Sequence, residues 1–253
     1  MSTTETHPSS MTPEERQIRN DLAAAYRLVA MFGWDDLVFT HLSARLPGPE
    51  HHFLINPYGM LFEEITASSL VKIDMDGNKV EESAYNVNPA GFTIHSAVHM
   101  AREDANCVMH LHTVHGTAVA TQKEGLLPLN QTAQLIIGDL AYHDYEGVAF
   151  DHDERPRLQA DLGDKGSMLL RNHGTLTVGS TVAQAFTRMY FLERACAMQI
   201  ATMTGGRELY PTADPVIQKN EMIGKGGLMM TADGLIWPAL MRKLDREQPD
   251  FRD

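Results

Sequence analysis

The sequence predicts an α/β protein in which helices are layered on a largely antiparallel or mixed sheet. Three observations carry that expectation. Short apolar runs of β-prone residues alternate with segments of helical spacing, and Gly, Pro, Asn and Asp punctuate them. The strands outnumber what a simple βαβ alternation needs, so a purely parallel sheet is not expected. The chain has 253 residues, 43% hydrophobic and 21% charged, enough apolar side chain for a sizeable core.

The elements follow in chain order. Thr12–Pro13–Glu14–Glu15 reads as a capping box with Pro at the first helical position. Ile18, Leu22, Tyr26 and Val29 continue at helical spacing, and Gly33 ends that helix. Leu37 to Phe39 reads as a short strand leading into the alternating segment Thr40 to Arg45. Phe53 to Ile55 is a strand closed by the turn Asn56–Pro57–Tyr58–Gly59. Thr66 to Leu70 is a short capped helical turn, Val71 to Asp74 a strand, and Asp76–Gly77 a tight turn that opens a hairpin. Asn86 to Pro89 is a loop. A helix opens at Ala90–Gly91 and runs from Phe92 to Arg102, with His95 and His99 on one face. Val108 to His112 is an apolar strand. Gly116 to Gln122 is helical and closed by Gly125. Leu135 to Leu140 reads as a strand, and His143 to Gly147 as a polar loop. Arg155 to Leu162 is a helix ended by Gly163. Met168 to Leu170 and Leu176 to Val178 are strands. Thr181 to Gln184 is a second capping box opening a long helix through about Thr204. After Pro211 the chain reads as irregular, with Gly224, Gly226 and Gly227, before a last helix from Pro238 to Leu244.

Within this frame one pair of residues stands out. On a strand, side chains at i and i+2 share a face, so His110 and His112 project together, opposite Leu111. Two neutral imidazoles can ligate a metal, and a third from elsewhere leaves positions open for water or substrate. His110 and His112 can equally be two polar residues on a wet strand face. His173 follows another apolar strand, so its convergence with them is geometrically feasible.

Composition excludes some partners. The formal net charge of −12 argues against nucleic acid or an anionic membrane surface. No apolar run approaches the ~18 residues that span a bilayer. Met1 to Ser10 has neither a basic n-region nor an apolar h-region, so it is not a signal peptide, and residues 1–11 are expected to be disordered. Residues 12–253 are read as a single domain with 207–253 as a C-terminal extension. The two cysteines, Cys107 and Cys196, fall in apolar patterns and read as reduced core residues, which fits the cytoplasm.

Taken in order, several segments resemble one family. They are Gly33–Trp34 with Thr40–His41–Leu42–Ser43–Ala44–Arg45, Ile55–Asn56–Pro57–Tyr58–Gly59, Ala90–Gly91–Phe92–Thr93–Ile94–His95–Ser96, Val108–Met109–His110–Leu111–His112–Thr113, and Leu170–Arg171–Asn172–His173–Gly174. The chain is identified as a member of the class II aldolase/adducin superfamily, and Ala141 to Gly147 is similar to adducin head domains in particular. The resemblance implies a three-layer α/β/α sandwich. It implies one divalent metal per subunit held by His110, His112 and His173, zinc first, with manganese, cobalt or iron as alternatives. It also implies a homotetramer with sites between subunits, and a metal that stabilises an enediolate next to a broken or rearranged bond.

The departures from the family pattern shape the functional expectation. The sugar-phosphate aldolases carry a catalytic Glu four residues before the position of His95, and here that residue is Gly91. Their phosphate-wrapping positions are His41, Tyr58 and Pro89 here, so the substrate is expected to be a small non-phosphorylated carboxylate. His41, Ser43 and Arg45 are the candidate substrate-binding residues, since a guanidinium suits a carboxylate; Arg45 reads equally as a structural salt bridge. Candidate proton carriers are His95, His115 and Tyr145, the last by resemblance contributed by a neighbouring subunit. Each also has a structural reading: His95 in the core with His99, His115 on the surface, Tyr145 at an interface. Glu146 is a weaker candidate for the missing carboxylate. The expected function is a metal-dependent decarboxylase or retro-aldolase acting on a hydroxy-, keto- or aromatic acid. The alternatives are a non-catalytic adducin-like binding module and a metal-dependent isomerase or dehydratase.

Overall fold

The structure, a computed structural model, describes residues 11–147 and 152–253, without the side chains at 89–92, 152 and 226. The disorder expected of residues 1–11 therefore falls, Met11 apart, outside the described residues. Among the described residues seven strands form one sheet: β1 (His41–Arg45), β2 (Phe53–Ile55), β3 (Val71–Ile73), β4 (Cys107–Leu111), β5 (Leu140–His143), β6 (Ser167–Leu170) and β7 (Gly174–Gly179). Their order is β3-β2-β1-β4-β7-β6-β5. Every neighbouring pair is antiparallel except β5 with β6. The sheet is mixed and mostly antiparallel, as the strand count implied.

Alternation along β4 explains the layering. Cys107, Met109 and Leu111 belong to the core shared with α1 (Pro13–Met31) and α6 (Val182–Met203). Val108 faces the other way, into a core built from α2 (Pro89–Ala101) and α5 (Arg155–Leu162). Because the side-chain period is two, His110 lies on the Val108 face. Helices therefore cover both faces, giving the three-layer α/β/α sandwich. Tyr26 ties α1 to the sheet: its buried hydroxyl donates to the Leu42 carbonyl at 2.5 Å and accepts from the N–H groups of Leu42 and Asn56.

The helix starts follow the sequence signals. Thr12 Oγ1 accepts from Glu15 N, and Thr181 Oγ1 from Gln184 N, both at 3.1 Å. Neither box closes reciprocally. Glu15 instead binds Arg19 and Lys72, and the Gln184 amide binds Ser180 and Asp233.

Five expectations are corrected. Leu37 to Phe39 is not a strand but a tight turn closed by an Asp36–Phe39 bridge, with Leu37 at φ 53°. Leu135 does not begin a strand. Asn130 caps α4 (Gln131–Ile136) through Ala133 N, a 3-10 turn follows, and the strand starts only at Leu140. A short apolar run cannot by itself separate buried helix from strand. His143 accordingly sits on β5, not in a loop. The tail after Pro211 is helical: α7 (Asp214–Thr231) continues through a π-type turn into α8 (Trp237–Glu247). Its glycines are not breakers. A Cβ on Gly224 would lie 1.7 Å from the Leu135 carbonyl oxygen, so that glycine lets α7 approach α4 backbone to backbone. The hairpin after Asp76 is reduced to one bridge, Ile73 with Lys79.

Candidate metal centre

β1 and β4 run antiparallel with His41 opposite His110. At this end of the sheet β4 runs out into His112. The β6–β7 hairpin turns at the same end. Leu170 pairs with Gly174, leaving a three-residue loop, Arg171 to His173. Asn172 takes the left-handed conformation there, φ 54°, which a short polar side chain tolerates. That turn delivers His173 to the two histidines of β4.

The three imidazoles converge. Ring centroids are 4.9 Å apart for His110 and His112, 4.7 Å for His110 and His173, and 5.0 Å for His112 and His173. One nitrogen from each lies within 4.8 Å of the others. Two of the rings are oriented by their remaining nitrogen. His110 Nδ1 donates to the Thr175 carbonyl at 3.0 Å, and His112 Nδ1 to Asp36 Oδ2 at 2.9 Å. Each therefore carries its lone pair on Nε2. His112 Nε2 is buried and has no hydrogen-bond partner among the described residues. An imidazole held by a carboxylate, its other nitrogen orphaned among further imidazoles, fits a metal ligand. Gly174 makes the room: a Cβ there would lie 2.5 Å from Leu111 O and 3.0 Å from the His112 ring.

Burial holds the His110 and His173 rings neutral, the form that ligates. Desolvation, with the neighbouring imidazoles adding to it, lowers His110 well below the usual histidine value and His173 to about 4. His41, whose ring centroid is 5.2 Å from that of His110, is lowered to about 3 mainly by burial. Its backbone is prepared by Thr40, a buried β-branched residue at φ 65°, an uncommon conformation for that residue type.

The other candidates are distributed differently. The Tyr145 ring is 6.2 Å from the His173 ring of the same chain, on the exposed rim. His95 and Ser43 lie beneath His41, bonded to each other and almost fully buried. Both His95 nitrogens and the Ser43 hydroxyl are taken up in hydrogen bonds inside the protein, so neither residue is free to meet a substrate in this arrangement. Arg45 is placed wrongly by the sequence reading. It lies at the far end of β1, ~13 Å along the strand from His41, where it donates to the His99 carbonyl and lines a separate cavity of about 610 Å³. His115 turns toward α6, where Nδ1 donates to Glu193 Oε1 at 2.7 Å beside Trp34 and Tyr190. Glu146 pairs with Arg157 at the surface.

Two residues near the triad were given no role by the sequence reading. Asp36 follows the helix-ending glycine in an acidic pair that carries no motif. Arg171, beside the third histidine, lines a shallow groove with Lys123, Tyr145 and Asn172, its guanidinium 4.3 Å over the Tyr142 ring. Among the described residues no helix is long and apolar enough to cross a membrane.

Comparison with known proteins follows the same lines. Residues 20–200 match the profile of the Class II Aldolase and Adducin N-terminal domain. A Caulobacter vibrioides protein, provisionally named as a class 2 aldolase, is 58% identical over 241 residues, covering 94% of this chain and 93% of its own. Mouse alpha-adducin is 46% identical over 206 residues, 79% of this chain but 28% of that protein. Among solved structures, the L-fuculose 1-phosphate aldolase of Glaciozyma antarctica superposes with a TM-score of 0.84 at 26% identity, covering 98% of this chain and 97% of the other.

Proposed function

The chain belongs to the class II aldolase and adducin family, and from that premise we propose that it is a metal-dependent carbon–carbon lyase. Its substrate on this reading is a small, non-phosphorylated hydroxy-, keto- or aromatic acid, cleaved by decarboxylation or retro-aldol reaction. The observation that carries the reading is the buried, unpartnered Nε2 of His112, on a ring fixed by Asp36 and grouped with His110 and His173.

Those three histidines would hold one divalent ion per subunit, with zinc the first choice for an all-imidazole set. Bound there, the ion supplies a Lewis acid for the charge that develops on a substrate oxygen when an adjacent carbon–carbon bond breaks. The rest falls to the chain's own side chains. Asp36 and the Thr175 carbonyl keep His112 and His110 in the ligating tautomer. Tyr145, on the rim beside His173, delivers a proton to the carbanionic carbon or to the leaving group. Arg171 and Lys123, in the groove next to Tyr145, take the carboxylate-binding part first assigned to Arg45. Decarboxylation suits the residue at 91, because it needs no base to deprotonate a hydroxyl and Gly91 offers none.

A homo-oligomer with this rim at a subunit boundary is part of the same proposal, as is a cytoplasmic location. The latter rests on Cys107 and Cys196, both buried and free. A binding module is the second reading, favoured by the 46% identity to alpha-adducin.

The test is a screen of hydroxy- and keto-acids for release of CO₂ or an aldehyde by the metal-loaded protein. Turnover that a chelator abolishes and Tyr145→Phe cuts about 10²-fold or more is expected. A metal-loaded protein that binds such acids without converting any of them favours the binding module.

A further inference from the structure

Behind His41 a file of polar groups runs into the protein. His41 Nδ1 is 2.8 Å from His95 Nε2. His95 Nδ1 is 2.5 Å from Ser43 Oγ. Ser43 Oγ is 2.8 Å from His99 Nε2, and His99 Nδ1 is 2.8 Å from the Ala105 carbonyl oxygen. All four side chains are almost wholly buried. Three of these residues were read from the sequence as separate candidates. In the structure they are one chain, joining β1 to α2.

The direction of every hydrogen bond in the chain is set by its inner end. A carbonyl oxygen can only accept, so His99 carries its proton on Nδ1. The neutral ring then accepts at Nε2, and the single hydroxyl proton of Ser43 is committed to it. Ser43 Oγ must accept from His95 Nδ1. His95 Nε2 must accept from His41 Nδ1. The last ring is left with its lone pair on Nε2, the nitrogen on the opposite side of the ring from His95. That atom makes no hydrogen bond among the described residues. The ring it belongs to is next to His110, at the edge of the triad.

We propose that His95, Ser43 and His99 are positioning residues that lock His41 in its Nδ1–H tautomer, so that Nε2 faces the cleft as a hydrogen-bond acceptor for a substrate hydroxyl. This deepens the proposed function and rests on it for the word substrate. An acceptor here selects a ligand carrying a donor at that point. It also disfavours a fully ionised phosphate group, which would set oxygen lone pairs against the nitrogen lone pair. The residue that occupies a phosphate-wrapping position of the sugar-phosphate aldolases thus acts against phosphate. A proton placed on either end of the chain would have to reverse or ionise several bonds in series, which is why one backbone carbonyl can fix a ring four hydrogen bonds away.

The test is ¹⁵N NMR of histidine-labelled protein, in metal-loaded form near pH 7.5, where the two ring nitrogens of each neutral tautomer are resolved. The expected result is His41 with a protonated Nδ1 and a bare Nε2. Ser43→Ala, which removes the only hydroxyl in the chain, should leave the fold intact by circular dichroism and let His41 populate both tautomers. Ser43→Thr, which restores a hydroxyl, should restore the single form. His41 found with a protonated Nε2 in the wild-type protein overturns the inference, as does a single Nδ1–H form that persists in Ser43→Ala. The two readings fail separately. A protein that holds metal but shows Nε2–H on His41 sinks only this inference. One that binds no metal while His41 stays Nδ1–H sinks only the proposed lyase.

Discussion

Asp36 and His112 are 76 residues apart in sequence and joined by a 2.9 Å hydrogen bond from Nδ1 of the imidazole to the carboxylate. Asp36 stands in the turn after α1 and His112 at the end of the central strand β4. Their bond settles which nitrogen of His112 is free, and the free one is buried without a partner among the described residues. Asp36→Asn should therefore weaken zinc binding about 10–100-fold, the usual effect of removing a partner behind a ligating histidine. Fold and thermal midpoint should change little, because Asp36 is part-exposed. Competition titration with a chromophoric chelator reads the affinity; wild-type affinity in the variant would remove Asp36 from the site.

Gly174 is the floor on which His110 and His112 rest. An added methyl meets the Leu111 carbonyl at 2.5 Å and the His112 ring at 3.0 Å, and a strand carbonyl cannot swing aside as a flexible side chain can. Gly174→Ala should destabilise the protein by about 1–3 kcal/mol, the range for overpacking, and should weaken metal binding with it. Urea unfolding and the same zinc titration check both halves. Full affinity would mean that the hairpin does not set the ligand geometry.

The glycines of α7 should behave in opposite ways. Gly224→Ala forces a methyl against the Leu135 carbonyl at 1.7 Å, between two helix backbones, and should cost about 2 kcal/mol or more. At Gly227 an added Cβ would lie 3.9 Å from the Ile223 Cγ2 methyl, an ordinary van der Waals contact. Gly227→Ala should stabilise the helix by about 0.5–1 kcal/mol through its propensity alone. Thermal unfolding of the two variants side by side decides it; equal shifts would contradict the close approach of α7 to α4.

That pair also marks what the sequence could and could not carry. The strand around His110 was legible because Val108, Met109 and Leu111 make a short apolar, β-prone run, and α5 was legible to its last residue because Gly163 ends it. The segment Gly224 to Gly227 was misread because local composition signals flexibility, whereas the structure uses a glycine for helix–helix contact. Leu135 was misread because a short apolar run looks the same in a helix and a strand. The triad could be assembled from residues near strand ends and a family resemblance. Asp36 could not, since one acid in a turn has no period and its partner is fixed only by the folded chain. Arg45 was misplaced for a related reason: alternation says which face a side chain takes, not how far along the strand the cleft extends.

Acid should unfold the protein through its buried histidines. Burial lowers His99 to about 3, below its unfolded value of 6.5, and holds His95 well below that unfolded value too. A base with a depressed folded pKa contributes stability that is complete above about pH 6.5 and is lost as pH falls from there toward 3, because the unfolded chain takes up the proton first. Near pH 5 the loss is on the order of 2 kcal/mol for each such ring at most. Urea midpoints measured from about pH 7.5 down to 5 should fall steeply in the wild type and less steeply in His99→Gln. Parallel profiles would show that His99 does not contribute to the slope.

The most direct measurement is the metal content of the protein isolated without chelators, beside that of His112→Ala. One divalent ion per chain in the wild type, lost in a variant that stays folded by circular dichroism, is the expected result. A wild-type protein that carries no stoichiometric metal, and takes up none when titrated with zinc, manganese, cobalt or iron, would contradict the reading of His110, His112 and His173 as a metal site.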